Sequence, residues 1–184
     1  MKKTMVIALA LLAAVPAAFA HAETGPVTLL ISGGNGNSGL SVTLTADGRN
    51  YLIVSTEPLE VGGNICIHPQ EEVPNELECK APAIGGFEVN AGGGSDFVTF
   101  ASEILVPVTI RGGPGNDRLT GGGANDKIIG GPDHDLLIGR RGDDWILGGS
   151  GPDKLIGGPG NDLLRGGSDK DVLVGGPGKN ELVP

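Results

Sequence analysis

From Gly112 to Val183 the apolar side chains fall on a nine-residue beat. Leu119, Ile128, Leu137, Ile146, Leu155, Leu164, Leu173 and Leu182 each close a glycine-rich polar stretch. The units read GGPGNDRLT, GGGANDKII, GGPDHDLLI, GRRGDDWIL, GGSGPDKLI, GGPGNDLLR, GGSDKDVLV and GGPGKNELV, with only Pro184 left over. One aliphatic side chain per unit therefore points inward, and its neighbours at the seventh and ninth positions face out. Helices cannot carry this pattern, because glycine pairs open seven of the eight units and each glycine costs about 1 kcal/mol relative to alanine inside a helix. Short strands joined by glycine turns remain.

Upstream, Ala91-Gly92-Gly93-Gly94-Ser95-Asp96-Phe97-Val98-Thr99 fits the same template with alanine first. Phe100 to Ser102 is then an insertion, and Glu103 to Arg111 has the length of one more unit, with Ile110 inward and Val108 where the acid belongs. Gly33-Gly34-Asn35-Gly36-Asn37-Ser38 echoes the loop with serine in the acidic slot. Between these lie apolar and β-branched clusters at Val27 to Ile31, Leu40 to Thr45 and Tyr51 to Val54, which read as strands. With the Cys66 to Cys79 loop and Gly86-Phe87-Glu88-Val89 they suggest a small β-domain capping the first coil, since terminal units of repeat arrays usually differ. The expected organisation is all-β: a leader over 1–20, an N-terminal β-domain over 21–90 and a repeat array over 91–184.

The sixth position of each unit is Asp117, Asp126, Asp135, Asp144, Asp153, Asp162 and Asp171, then Asn180. Together with the paired glycines this is the G-G-x-G-x-D-x-U-x pattern, and the array resembles the haemolysin-type calcium-binding (RTX repeat) family, for which that pattern is a known signature. The resemblance implies a parallel β-roll (β-solenoid) in which two consecutive units make one turn. Six residues then form a loop, three form a strand, and alternate units feed opposite sheets. Loops on one side would stack about 4.8 Å apart, so that Asp117, Asp135, Asp153 and Asp171 form one row and Asp126, Asp144 and Asp162 the other.

Calcium chemistry suits these residues. Ca²⁺ takes six to eight oxygens, typically carboxylates, backbone carbonyls and water. Glycine at the first, second and fourth positions is expected to permit positive φ and turn carbonyls toward a common point. Stacked aspartates repel by about 1 kcal/mol per pair even at the dielectric of water, a penalty that sandwiched divalent cations reverse. The family's ligands carry over to Asp96 and the seven aspartates from 117 to 171, with the loop carbonyls of Gly113, Gly115, Gly122, Gly131, Gly149, Gly151, Gly158 and Gly160. Arg140 replaces a second-position glycine, Ala124 and Asp133 replace fourth-position ones, and Asn180 replaces the last acid. Several Ca²⁺ ions are expected, with folding coupled to their binding.

Composition agrees with a fold that needs help beyond apolar burial: 34 glycines and 3% aromatics leave little for a conventional core. The N-terminus runs Met1-Lys2-Lys3, an apolar stretch from Val6 to Val15, then Pro16-Ala17-Ala18-Phe19-Ala20, the order of a secretory signal peptide cleaved after Ala20, with Ala20 and Ala22 offering a second register. The apolar stretch is short for a bilayer span of roughly 20 residues. Losing Lys2 and Lys3 takes 13 basic residues to 11 against 22 acidic ones, and the net charge from −9 to −11, which argues against nucleic acid as a partner. In an exported chain, Cys66 and Cys79 read as a disulfide worth about 3 kcal/mol. The rival two-thiolate metal site lacks both a C-x-x-C pair and an accompanying His-x₃-His.

No catalytic constellation emerges, and a non-enzyme is expected. Gly34-Asn35-Gly36-Asn37-Ser38-Gly39 matches G-x-G-x-x-G, yet β-branched residues rather than a helix follow it. H-E-x-x-H, G-x-S-x-G and Walker sequences are absent. His134 occupies a loop position expected to face solvent; His68 lacks an identifiable partner, and His21 lies beside the cleavage site. Apolar residues at outward positions (Leu136, Ile138, Trp145, Leu147, Ile156, Val172 and Val174) reflect either β-propensity or a contact patch. Two functions follow: a secreted, extracellular calcium-binding structural or interaction module, or an adhesin or accessory protein that binds protein or polysaccharide, with calcium purely structural.

Overall fold

The computed structural model describes the backbone of residues 5–6, 27–32, 36, 38–44, 50–55, 59–60, 66–67, 76–80 and 84–184, and side chains at 36, 38–43, 53 and 84–184. Most of the expected signal peptide, its cleavage site, His21 and His68 lie outside these residues.

Among the described residues the fold is all-β, without a helix, and two sheets of nine strands form a parallel β-solenoid. The first sheet stacks Val27–Ser32, Ile84–Asn90, Val108–Arg111, Lys127–Pro132, Trp145–Ser150, Leu163–Ser168 and Glu181–Val183, all parallel. The second stacks Gly39–Leu44, Phe97–Phe100, Arg118–Thr120, Leu136–Ile138, Lys154–Ile156 and Val172–Val174, again parallel. Partners within the repeats are 18 apart, as in Ile128↔Ile146 and Leu137↔Leu155, so two units make each turn. Between Phe97 and Arg118 the step is 21, which locates a three-residue insertion.

The parallel run accounts for the core. Val89, Ile110, Ile128, Ile146 and Leu164 from the first sheet are buried with Leu40, Val98, Leu119, Leu137 and Leu155 from the second. Each such side chain contributes about 1.5–3 kcal/mol on burial. The insertion and the segment after it add apolar bulk: Phe100 and Ile104 are fully buried, and the Phe87 and Phe100 rings pack with centroids 5.2 Å apart. The stack opens at its C-terminal end, where Leu173 is half-buried and Leu182 is 45% exposed.

The N-terminal strands extend these same two sheets. Val27–Ser32 pairs in parallel with Ile84–Asn90, which itself pairs in parallel with Val108–Arg111. Gly39–Leu44 pairs in parallel with Phe97–Phe100 and then antiparallel with Asn50–Ser55, to which Glu76–Lys80 and Cys66–Ile67 are added antiparallel. Met5–Val6 and Leu59–Glu60 edge the other sheet. Cap and roll therefore share continuous hydrogen-bonded ladders.

Candidate metal centre

Each loop is shaped by how tightly successive turns stack. The first-position glycines are buried, and their need for glycine is steric. A Cβ at Gly112 would overlap Asp117 Oδ2 of its own loop, and the same collision recurs between Gly130 and Asp135, Gly139 and Asp144, and Gly157 and Asp162. Their φ values are not left-handed, which corrects the expectation of positive φ at this position. Outside the Gly121–Asp126 loop, second and fourth positions do take positive φ, as at Gly113 (113°) and Gly115 (128°). Gly131, Gly149, Gly151, Gly158 and Gly160 follow them.

Three residues with side chains hold the same conformation where glycine is missing: Arg140 (85°), Asp133 (82°) and Asp169 (81°). Asp169, at the fourth position of its unit, is a substitution that pattern reading overlooked. Non-glycine residues pay steric strain there, though aspartate tolerates it better than most.

The aspartates form the two expected rows. In the first, Asp96 N–H donates to Asp117 Oδ1 (2.8 Å), Asp117 N–H to Asp135 (2.8 Å), Asp135 N–H to Asp153 (2.8 Å) and Asp153 N–H to Asp171 (2.9 Å). Ser38 N–H begins this row by donating to Asp96 Oδ1 at 2.6 Å. Ser38, the residue in the acidic slot of the echo, thus stands one turn ahead of Asp96. In the second row Val108 N–H donates to Asp126 Oδ1 (2.9 Å), Asp126 N–H to Asp144 (2.8 Å) and Asp144 N–H to Asp162 (2.9 Å). Asp162 N–H ends the row on Asn180 Oδ1 at 2.8 Å.

One oxygen of each carboxylate is thereby satisfied, and the other generally is not. Oδ2 of Asp96, Asp117, Asp135, Asp144, Asp153, Asp162 and Asp171 is buried without a hydrogen-bond partner. An unpaired anionic oxygen out of water is costly, by at least about 1–3 kcal/mol even for a neutral group. Asp126 differs, since its Oδ2 accepts the Gly122 N–H at 2.6 Å.

Electrostatics records the same strain. Desolvation, opposed by backbone hydrogen bonds and reinforced by neighbouring carboxylates, pushes Asp135 and Asp144 up to about 7. Asp117 and Asp126 are pushed to about 6, again chiefly by burial. Asp96, Asp153 and Asp162 are raised for the same leading reason. Asp135 and Asp144 each feel a row neighbour on both sides: Asp117 and Asp153 for the former, Asp126 and Asp162 for the latter.

Beside the aspartates runs a second ladder that the repeat pattern did not reveal. Asn125 Oδ1 accepts from Asp143 N–H (2.9 Å), Asp143 Oδ1 from Asn161 N–H (2.7 Å) and Asn161 Oδ1 from Lys179 N–H (2.9 Å). On the other side His134 N–H donates to Asn116 Oδ1 at 3.0 Å, while the residue itself is exposed. The recurrence of Asn and Asp at the fifth position was the available signal, because short polar side chains readily bond nearby backbone.

A hard divalent cation suits this donor set. Buried, unpartnered carboxylate oxygens repeat at every turn. The carbonyls at the second and fourth positions, such as Gly92 and Gly94, lie against the equivalent glycines of the next turn, where a Cβ would intrude. Among the described residues no group of three or more His, Cys, Asp or Glu side chains could hold a metal. A cation held here would draw on carboxylates and backbone carbonyls together, the oxygen donors that Ca²⁺ takes.

Residues 111–146 and 147–182 each match the family model of the RTX calcium-binding nonapeptide repeat (4 copies). No curated protein and no solved structure matches the chain.

Proposed function

With residues 111–182 being RTX calcium-binding nonapeptide repeats folded as a β-roll, we propose that this chain is an exported, non-enzymatic module whose folding is switched on by Ca²⁺. The carrying observation is the repeated buried Oδ2 without a partner. Asp96, Asp117, Asp135, Asp144, Asp153, Asp162 and Asp171 would hold the ions, helped by the loop carbonyls of the family pattern. Bound Ca²⁺ supplies positive charge that neutralises the rows and ligates their free oxygens.

Without the ion, the glycine-rich loops lose conformational entropy on ordering while gathering unpaired carboxylates, so folding and binding become one event. Extracellular calcium modules work at about 10⁻⁴–10⁻³ M, which suits a chain that orders on export. Export is supported by the signal-like order of the first twenty residues. In that compartment Cys66 and Cys79, directly opposite each other on antiparallel strands, are proposed to form a disulfide. Intact mass with and without reductant checks this.

Calorimetric Ca²⁺ titration combined with far-ultraviolet circular dichroism tests the main reading. Heat of uptake with a gain of β-signal is expected; equal order in chelator and in millimolar Ca²⁺ would remove it. A second reading, an adhesin or accessory protein for extracellular protein or polysaccharide, is favoured by Phe97, Val172 and Val174 exposed on one outer sheet face. Glycan and pull-down screens with and without chelator separate the two.

A further inference from the structure

The exceptional loop is Gly121–Asp126, at the N-terminal start of the second row. Both oxygens of Asp126 are occupied, one by Val108 N–H at 2.9 Å and the other by Gly122 N–H at 2.6 Å. Asp144, one turn on, receives a single N–H from Asp126, and its Oδ2 is buried and bare.

The reason lies in the turn before. Where another loop would stack stands the irregular segment around Ile104, with Val108 in the acidic slot. Gly123 N–H donates to the Ile104 carbonyl at 2.8 Å, and that same carbonyl would be 2.7 Å from a Cβ at Gly122. Equivalent second-position residues send their N–H to the next turn, Gly113 to the Gly130 carbonyl, Arg140 to Gly157 and Gly158 to Gly175. Unlike Gly113, Arg140 and Gly158, Gly122 is not left-handed, and its N–H turns into its own loop instead. Ala124, at the fourth position, also lacks the positive φ found at Gly115 or Gly151.

We infer that loop Gly121–Asp126 is a metal-independent terminus of the second row, in which the Gly122 N–H takes the place that Ca²⁺ takes at the other aspartates. The inference rests on the calcium reading above. A carboxylate that already accepts two N–H donors gains less from an ion than one with a bare oxygen, and the left-handed turns that offer loop carbonyls are absent here. The rows then load unequally: the first from Asp96 onward, the second only from Asp144.

The test compares Asp126→Asn with Asp144→Asn in the full chain, counting bound Ca²⁺ per molecule by calorimetry and by metal analysis after gel filtration. Asp126→Asn should keep the ion number of the unsubstituted chain, and Asp144→Asn should lose at least one. Equal losses in both would overturn the inference. Should Asp126→Asn fail to fold, a crystal structure of the unsubstituted chain grown in Ca²⁺ decides. An ion on Asp144 Oδ2, with the Gly122 N–H still on Asp126, supports the assignment; an ion on Asp126 Oδ2 refutes it. A chain that takes up no Ca²⁺ at all sinks the calcium reading itself, and this assignment with it.

Discussion

The two loop rows of the roll are written in the same nonapeptide, yet their ends differ. The first starts on Ser38, carries an acid at each step from Asp96 to Asp171, and leaves a bare buried oxygen at each of them. The second starts on Val108, seals Asp126 with the Gly122 N–H and finishes on Asn180, whose Nδ2 donates to the Gly176 carbonyl at 2.9 Å. Interior turns can share a cation between neighbours, whereas a terminal loop has a neighbour on one side only. The second row meets that problem with backbone N–H groups and a neutral amide. The first ends at Asp171 with Oδ2 still unpartnered.

Four experiments press on this contrast, beginning with the largest effect. Removing Ca²⁺ with a chelator should abolish most of the β-signal in far-ultraviolet circular dichroism, because interior turns of both rows hold uncompensated carboxylates. Retention of the full signal would mean that backbone donors suffice everywhere, and the distinction between interior and terminal loops would disappear.

Next come the cores behind the rows. Ile146→Ala and Leu155→Ala each remove a fully buried side chain, one from either sheet, and each should cost about 2–5 kcal/mol in Ca²⁺-saturated urea unfolding. Leu182→Ala should cost much less, because that position is 45% exposed. Unequal losses at Ile146 and Leu155 would show that the rows differ in packing as well as in loop chemistry.

Acidity is the third lever. The raised aspartates have folded values of about 6 to 7 against an ordinary 3.8, so the metal-free fold binds more protons than the unfolded chain. Its stability is greatest below about pH 4 and falls as pH rises through 6 to 7. In chelator, the far-ultraviolet β-signal should therefore be larger near about pH 4.5 than near about pH 8, where the metal-free chain is mostly unfolded. Calcium binding has the opposite dependence, weakening as those carboxylates protonate, and should release protons near about pH 6, visible as heats that vary with buffer ionisation enthalpy.

The smallest change is Asn180→Asp, which restores the acid at the end of the second row. It should move the Ca²⁺ midpoint of circular dichroism downward, within about tenfold, by adding a carboxylate oxygen. An upward shift would show that the neutral amide is itself required to close the end.

Much of this architecture is legible along the chain. The nine-residue beat of Leu119 to Leu182 implies one inward side chain per unit, and the sixth-position acids sort into the rows observed. Even the insertion after Thr99 agrees with the 21-residue step from Phe97 to Arg118. These features depend only on period, and a strict period must map onto a strict stack.

What the repeat could not convey depends on contact between turns. The first glycine is needed for the room it leaves to an aspartate oxygen five residues on, as at Gly112 and Asp117. Ser38 joins the roll because its N–H meets Asp96. Ile84–Asn90 belongs to the parallel ladder because Val89 stands opposite Ile110. Gly122 reads like any other second-position glycine until Ile104 is placed beside it. A linear pattern specifies what recurs; which oxygen remains unpartnered is decided by the neighbouring turn, and only the folded stack supplies that neighbour.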